Sequence, residues 1–192
     1  MSRRIGVFGG SFDPVHNGHI AVAKSFLSSN VIDTLWVMLS PEPPHKKSDD
    51  QASYEHRLKM LELAFAGIKN TVVSDYETEL SSPSFTLQTL ESLKEKYPDD
   101  TFFLCLGEDS ISNFESWHKY EKILDEVTLL VAERPGYDHK KLPSKITEKA
   151  IFVDHTPVGL SSTEIRSGQH HAVGEIPVPK VVSDYISEHN LY

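Results

Sequence analysis

Two stretches of this chain, residues 101–106 and 127–132, are apolar almost without a break. A strand with one wet face alternates apolar and polar residues, whereas a continuous run has to be buried on both sides. Further strand signals occur at residues 4–8, 34–39 and 71–74, with a weaker one at 151–153. Between them the apolar spacing changes to that of helices. Ile20, Ala23 and Leu27 share a face after the first strand; Leu58, Leu61 and Phe65 do so within 53–66, and Leu87, Leu90 and Leu93 within 85–97. Two short helices are expected at 161–167, stopped by Gly168, and at 179–190, where Val182, Tyr185, Ile186 and His189 align. Strands alternating with helices point to an α/β fold, a doubly wound, mostly parallel, Rossmann-like sheet.

The chain has 192 residues, 39% of them hydrophobic and 24% charged, which suits a single domain with one good core. One unit spanning 1–192 is expected, with a helical part from about 160 to 192 packed on it. No internal repeat is visible, and the polar stretch 137–149 reads as a surface loop. The net charge of −9 argues against nucleic acid or an acidic membrane surface as partner. An anionic small molecule remains compatible, because a local cluster of donors holds phosphate even on an acidic protein. Cys105, the one cysteine, lies inside an apolar run and reads as a buried, inert thiol. No secretory leader is recognisable, and no apolar stretch approaches the length that spans a bilayer, so a cytoplasmic location is expected.

Doubly wound sheets bind ligands at the carboxyl ends of their strands. There the chain reads Gly9-Gly10-Ser11-Phe12-Asp13-Pro14-Val15-His16-Asn17-Gly18-His19, directly after Ile5-Gly6-Val7-Phe8. Glycine lets backbone approach a ligand without a Cβ, and the amides that open a helix attract anions. His16 and His19 point the same way if their turn is already helical. The segment reads as a phosphate cradle with two imidazole donors. It is not a P-loop, because histidines stand where the lysine would be. Taken singly, the glycines read as a turn, Asp13-Pro14 as a turn opener and each histidine as a surface or capping residue.

A second anion site is suggested by Leu160-Ser161-Ser162-Thr163-Glu164-Ile165-Arg166. Ser161 or Ser162 is a natural N-cap, and Ser161 with Glu164 has the spacing of a capping box, which alone would account for the serines. Arg166 one turn along adds a guanidinium to the hydroxyls and open amides. Two such sites imply a polyphosphate, or two phosphorylated substrates side by side. A proline-rich loop, residues 41–47, follows the second strand.

Together these motifs resemble the H-x-G-H nucleotidyltransferase superfamily, and within it the bacterial nicotinate-nucleotide adenylyltransferases, or deamido-NAD pyrophosphorylases. The likeness runs in order through the 9–19 loop, Pro43-Pro44-His45-Lys46, Arg57-Leu58-Lys59-Met60-Leu61, Pro83-Ser84-Phe85-Thr86, Gly107-Glu108-Asp109-Ser110, Trp117, Arg134-Pro135-Gly136 and the 160–166 segment. Phe85 replaces a common tyrosine, Leu160 a common isoleucine, and Glu108 adds a charge where a small residue is common.

The resemblance implies a reaction in which ATP and nicotinate mononucleotide give deamido-NAD and pyrophosphate with Mg²⁺ carried on ATP, by direct attack without a covalent enzyme intermediate. His16, His19 and Arg166 would carry catalysis. Gly9, Gly10, Ser11, Phe12, His19, Gly107, Asp109, Ser161, Ser162, Thr163 and Arg166 would hold ATP. Ser11, His45, Lys46, Phe85, Thr86 and Trp117 would hold the mononucleotide, with Trp117 stacked on the pyridine and the nicotinate carboxylate at the start of the Thr86 helix. Spacing alone makes Trp117 a half-buried core residue. The resemblance adds no dedicated metal ligands and leaves room for a homo-oligomer.

Three other readings stand beside it. A sister transferase would use the same phosphate machinery with another acceptor, phosphopantetheine or nicotinamide mononucleotide. A sensor would keep the cradle without turnover. A metal hydrolase would use His16, His19 and His45, at a spacing that suits no common zinc pattern. The adjacent His170 and His171 read as solvated loop.

Overall fold

A computed structural model describes residues 2–41, 51–80, 85–133, 136, 138, 141–156, 158–159, 161–167 and 177–192. Six strands, β1 Arg4–Gly10, β2 Thr34–Leu39, β3 Thr71–Ser74, β4 Thr101–Gly107, β5 Thr128–Glu133 and β6 Ala150–Asp154, form one sheet in the order β3-β2-β1-β4-β5-β6. Every pairing is parallel, so the sheet is wholly rather than mostly parallel. The first half winds outward from β1 through β2 to β3. The second half starts again on the other side of β1, which makes the β1–β4 junction the point where the winding reverses.

The helices are α1 Asn17–Ser28, α2 Tyr54–Phe65, α3 Thr86–Lys96, α4 Glu108–Ser112, α5 Tyr120–Glu126, α6 Ser144–Thr147, α7 Ser162–Arg166 and α8 Lys180–Glu188. Side chains alternate across a strand, and here both faces of the central strands are covered. Leu35, Val37, Cys105, Leu130 and Ala132 pack against Phe26 of α1, Met60 and Leu61 of α2, and Val182 and Ile186 of α8. Met38, Leu104, Leu106, Leu129 and Val131 face the other way, onto Leu90 and Leu93 of α3, Ile123 of α5 and Ile146 of α6. That division explains why these runs show no alternation in sequence.

The strand ends agree closely with the sequence signals, and the long helices are bounded by residues at the expected edges. Ser53 caps α2 by accepting from the His56 N–H at 3.3 Å. Gly6 sits where β1 is squeezed: a Cβ there would lie 2.7 Å from both Cys105 Sγ and Ile32 Cδ1. The stretch read as a surface loop, 137–149, contains the single-turn helix α6, anchored by Ile146 at 1% exposure. Four residues with a single apolar one among them carry too little periodicity to reveal such a turn.

Candidate functional site

Two adjoining clefts open at the carboxyl ends of β1 and β4, of about 420 and 490 Å³. Both are lined by Phe8, Gly9, Gly10, Ser11, Gly107 and Ser110. The first extends toward α1, α4 and α7. The second extends over Phe85, Thr86, Leu90 and Trp117. The two strand ends at the reversal point therefore form the seam between them, where the topology expects ligands.

In the first cleft, His16 is not yet helical: with φ −138° and ψ 171° it is the extended N-cap of α1. Two positions before it in the motif, Pro14 follows a cis Asp13-Pro14 bond. The condition of an already helical turn at His16 is therefore not met, yet the two side chains still come together. What joins them is a reciprocal cap. The His19 N–H donates to His16 Nδ1 at 3.4 Å, and the His16 N–H donates to His19 Nδ1 at 3.2 Å. The rings stack with centroids 3.7 Å apart and 24° between planes. Because each Nδ1 accepts from an amide, the neutral rings carry their proton on Nε2. Burial pushes the His16 pKa down to about 4, so that ring is neutral at pH 7.

The surroundings leave His16 and His19 little freedom. A Cβ on Gly18 would lie 2.9 Å from His16 Nδ1. The Phe12 ring meets His19 edge-on at 5.0 Å and Phe8 at 5.6 Å. Phe12 itself has φ 41°, a left-handed conformation that costs a non-glycine residue about 1–3 kcal/mol. Its ring is 2% exposed, so core packing holds it there.

The loop is braced by charges from below. Arg57, 2% exposed, donates to the carbonyls of Ser11 at 2.9 Å, Ser40 and Pro41 at 3.0 Å, and Ala52 at 3.2 Å. Desolvation lowers its pKa. A planar fork with five donors suits this cluster of carbonyls in a way a lysine would not. α7 is tied to the same loop, with the Ser162 hydroxyl donating to the Pro14 carbonyl at 3.0 Å and Arg166 Nη1 to the Asp13 carbonyl at 2.5 Å.

Gly9, Gly10, Ser11, Phe12, His16, His19, Gly107, Asp109, Ser161, Ser162 and Thr163 all line the first cleft. Ser161 is the N-cap of α7 and forms a capping box with Glu164, and it lines the cleft as well. Arg166 stands at the far end of α7, turned toward Asp13, and is not among the lining residues. Phe85, Thr86, Trp117 and Ser11 line the second cleft. Trp117 is half-buried against Phe114, with centroids 5.3 Å apart, so it is both a packing residue and part of the cleft wall. Phe85 opens α3 without a side-chain cap, and Phe85 and Thr86 both line the cleft, so the positive end of that helix borders it. His45, Lys46, Leu160, His170 and His171 lie outside the described residues.

Several lining residues were not singled out from sequence. His155, 8% exposed, borders the first cleft with Nδ1 3.1 Å from the Ser25 hydroxyl. Glu77 borders the second and accepts from the Thr89 hydroxyl at 3.0 Å. His118 also borders the second, tilted over Phe85 at 4.4 Å. His155 directly follows β6, and Glu77 follows β3 by a few residues, so the carboxyl-end rule could have flagged both. Among the described residues no group of three histidine, cysteine or acidic side chains could hold a metal ion. Among them, too, no helix is long and apolar enough to cross a membrane.

Residues 7–168 match the family model described as cytidylyltransferase-like. A probable nicotinate-nucleotide adenylyltransferase of Bacillus pumilus is 36% identical over 194 residues, covering 99% of this chain and 98% of the relative. The nicotinate-nucleotide adenylyltransferase of Bacillus subtilis is 34% identical over 191 residues, with 99% and 98% covered. Among solved structures, Plasmodium falciparum nicotinic acid mononucleotide adenylyltransferase complexed with APC superimposes with a TM-score of 0.80 at 25% identity, covering 99% of this chain and 97% of the other. The same enzyme complexed with NaAD gives a TM-score of 0.77 at 25% identity, with 99% and 97% covered.

Proposed function

The chain belongs to the nicotinate-nucleotide adenylyltransferases, within the cytidylyltransferase-like family, and we propose that its first cleft takes ATP and its second nicotinate mononucleotide. The reaction is adenylyl transfer in NAD biosynthesis. The observation that carries the assignment of clefts is their shared seam at Gly9, Gly10, Ser11 and Gly107. One cleft is polar and bounded by the two histidines and the start of α7; the other is walled by aromatic and apolar side chains. A triphosphate suits the first, and a flat ring with a phosphate suits the second.

The acceptor phosphate is already ionised at neutral pH, so the reaction needs alignment and charge stabilisation more than a base. An oxygen of the mononucleotide phosphate forms a bond to the α-phosphorus of ATP. The bond from that phosphorus to the bridging oxygen breaks, and pyrophosphate leaves with the electron pair. His16 and His19 donate from Nε2 to the phosphate oxygens on which charge collects. The Ser11 hydroxyl and neighbouring amides assist at the seam. Ser161, Ser162, Thr163 and Arg166 hold the departing pyrophosphate, and Asp109 accepts from the ribose hydroxyls of the adenosine half. His45 and Lys46 hold the mononucleotide phosphate. Trp117 stacks on the pyridine, and the nicotinate carboxylate lies at the uncapped start of α3, whose positive end favours an acid over an amide.

ATP-dependent nucleotidyl transfer uses a divalent metal, and Mg²⁺ is the proposed ion. The donor set fits an ion brought in on the triphosphate, because the acids near the first cleft, Glu108 and Asp109, form no cage of ligands. Bound with the triphosphate, such an ion would supply neutralisation of phosphate charge.

The test is pyrophosphate release with ATP and Mg²⁺, comparing nicotinate mononucleotide, nicotinamide mononucleotide and phosphopantetheine as acceptors. A strong preference for the acid is expected. Equal rates with the amide would remove the carboxylate argument at α3, and release only with phosphopantetheine would overturn the acceptor assignment.

A further inference from the structure

Beneath the first cleft lies a buried carboxylate that the mechanism above does not use. Asp13 is 3% exposed and sits between the loop carrying His16 and the end of α7. Its Oδ1 accepts from the Ala52 N–H at 3.2 Å and from the Tyr192 phenol at 2.6 Å. Its Oδ2 stands 3.5 Å from Arg166 Nη1, the same nitrogen that donates to the Asp13 carbonyl. The other cation close by, Arg57, is committed to its four carbonyls.

Tyr192 reaches this place because α8 is anchored and then turned. Val182 and Ile186 of α8 are buried in the core, and the Leu191 N–H closes back onto the Ile186 carbonyl at 3.0 Å. The phenol is thereby aimed inward at a partner 179 positions earlier in the chain. Tyr192 as a residue is 42% exposed, but desolvation of its phenol, and then the bond to Asp13, push its pKa upward, so the hydroxyl remains a donor to the carboxylate.

We propose that Tyr192 is a positioning residue for the transfer reaction: through Asp13 it sets the guanidinium of Arg166 beside the first cleft and keeps it available to phosphate. A carboxylate with both oxygens unshared competes strongly with phosphate for a guanidinium. The phenol and the Ala52 amide occupy one oxygen and spread its charge, leaving the other to orient Arg166 without sequestering it. This inference rests on the reading of Arg166 as a pyrophosphate-holding group.

The experiment is steady-state kinetics of the full chain with ATP, Mg²⁺ and nicotinate mononucleotide, for wild type, Tyr192→Phe, Asp13→Asn and the double variant. Loss of one hydrogen bond to a charged group is expected to raise KM for ATP roughly fivefold to tenfold in Tyr192→Phe. KM for the mononucleotide should stay within about twofold, and adding Tyr192→Phe to Asp13→Asn should change nothing further, as coupled residues behave. If Asp13→Asn does not fold, the split between the two KM values in Tyr192→Phe decides. Unchanged KM for ATP with only a lower melting temperature, equal rises in both KM values, or additive effects in the double variant would overturn the proposal. Wild type that releases no pyrophosphate would overturn the functional reading and this inference with it, whereas normal turnover by both wild type and Tyr192→Phe overturns the inference alone.

Discussion

His16 and His19 cap each other, each ring nitrogen Nδ1 accepting the other residue's backbone N–H, at 3.4 and 3.2 Å. Neither ring is able to carry a proton on Nδ1 without giving up one of these bonds. The pair is thus fixed as two Nε2 donors before any substrate arrives, and preorganised donors of this kind stabilise charge that develops in a transition state.

Replacing His19 by alanine removes one donor and half of the cap. Loss of a single preorganised donor costs on the order of a hundredfold in kcat, while the cap itself is worth only about 1 kcal/mol of stability. The variant should therefore keep its circular dichroism spectrum and melt within a few degrees of wild type, yet turn over far more slowly. A near-normal kcat/KM would remove His19 from the mechanism.

Gly18→Ala perturbs the same pair while leaving both imidazoles in the sequence. The new methyl would stand 2.9 Å from His16 Nδ1, inside any real contact distance, and the ring has to move. A fall in kcat of about tenfold or more is expected, since small displacements of positioned groups are costly. Wild-type kinetics in this variant would show that the stacked geometry is dispensable.

The low pKa of His16 has a consequence for stability. An unfolded histidine titrates near 6.5, whereas burial lowers the folded value to about 4. Between these values the unfolded state binds more protons, so stability is full above pH 6.5 and falls as the pH drops toward 4. The loss amounts to at most about 3 kcal/mol at the acid end. His16→Asn keeps a good N-cap but does not titrate. Its melting temperature should decline less than that of wild type between pH 7 and 4.5, and parallel declines would contradict the burial argument.

Trp117 offers the cleanest separation of the two clefts. Truncation to alanine removes a stacking surface worth about 1–3 kcal/mol per base, so KM for the mononucleotide should rise about tenfold with little change in KM for ATP. Equal losses for both substrates would assign Trp117 to packing against Phe114 alone.

Much of this was legible in the sequence because it rests on local physics. β2 and β3 were readable to the residue, since Thr34–Leu39 and Thr71–Ser74 are apolar or β-branched runs between turn residues. The capping box of Ser161 and Glu164 is equally local, a matter of spacing three. α4 and α5 escaped notice because Glu108–Ser112 and Tyr120–Glu126 are too short and polar to show a period. Whether His16 is the N-cap or already in the first turn is open from spacing alone, because the two look alike without backbone angles. Least readable are the contacts that cross the chain. Nothing in the local pattern says that Arg166 turns to Asp13 or that Tyr192 reaches the same carboxylate, because such pairs exist only once the sheet has brought distant segments together.

The most direct test of the two-cleft account is a crystal structure of this chain with deamido-NAD bound. The adenosine half should lie in the first cleft between Gly107–Asp109 and Ser161–Thr163, the pyridine ring against Trp117, and the bridging phosphates at the Gly9–Ser11 seam beside His16 and His19. A dinucleotide lying in the opposite sense, or with its phosphates away from the two histidines, would contradict it.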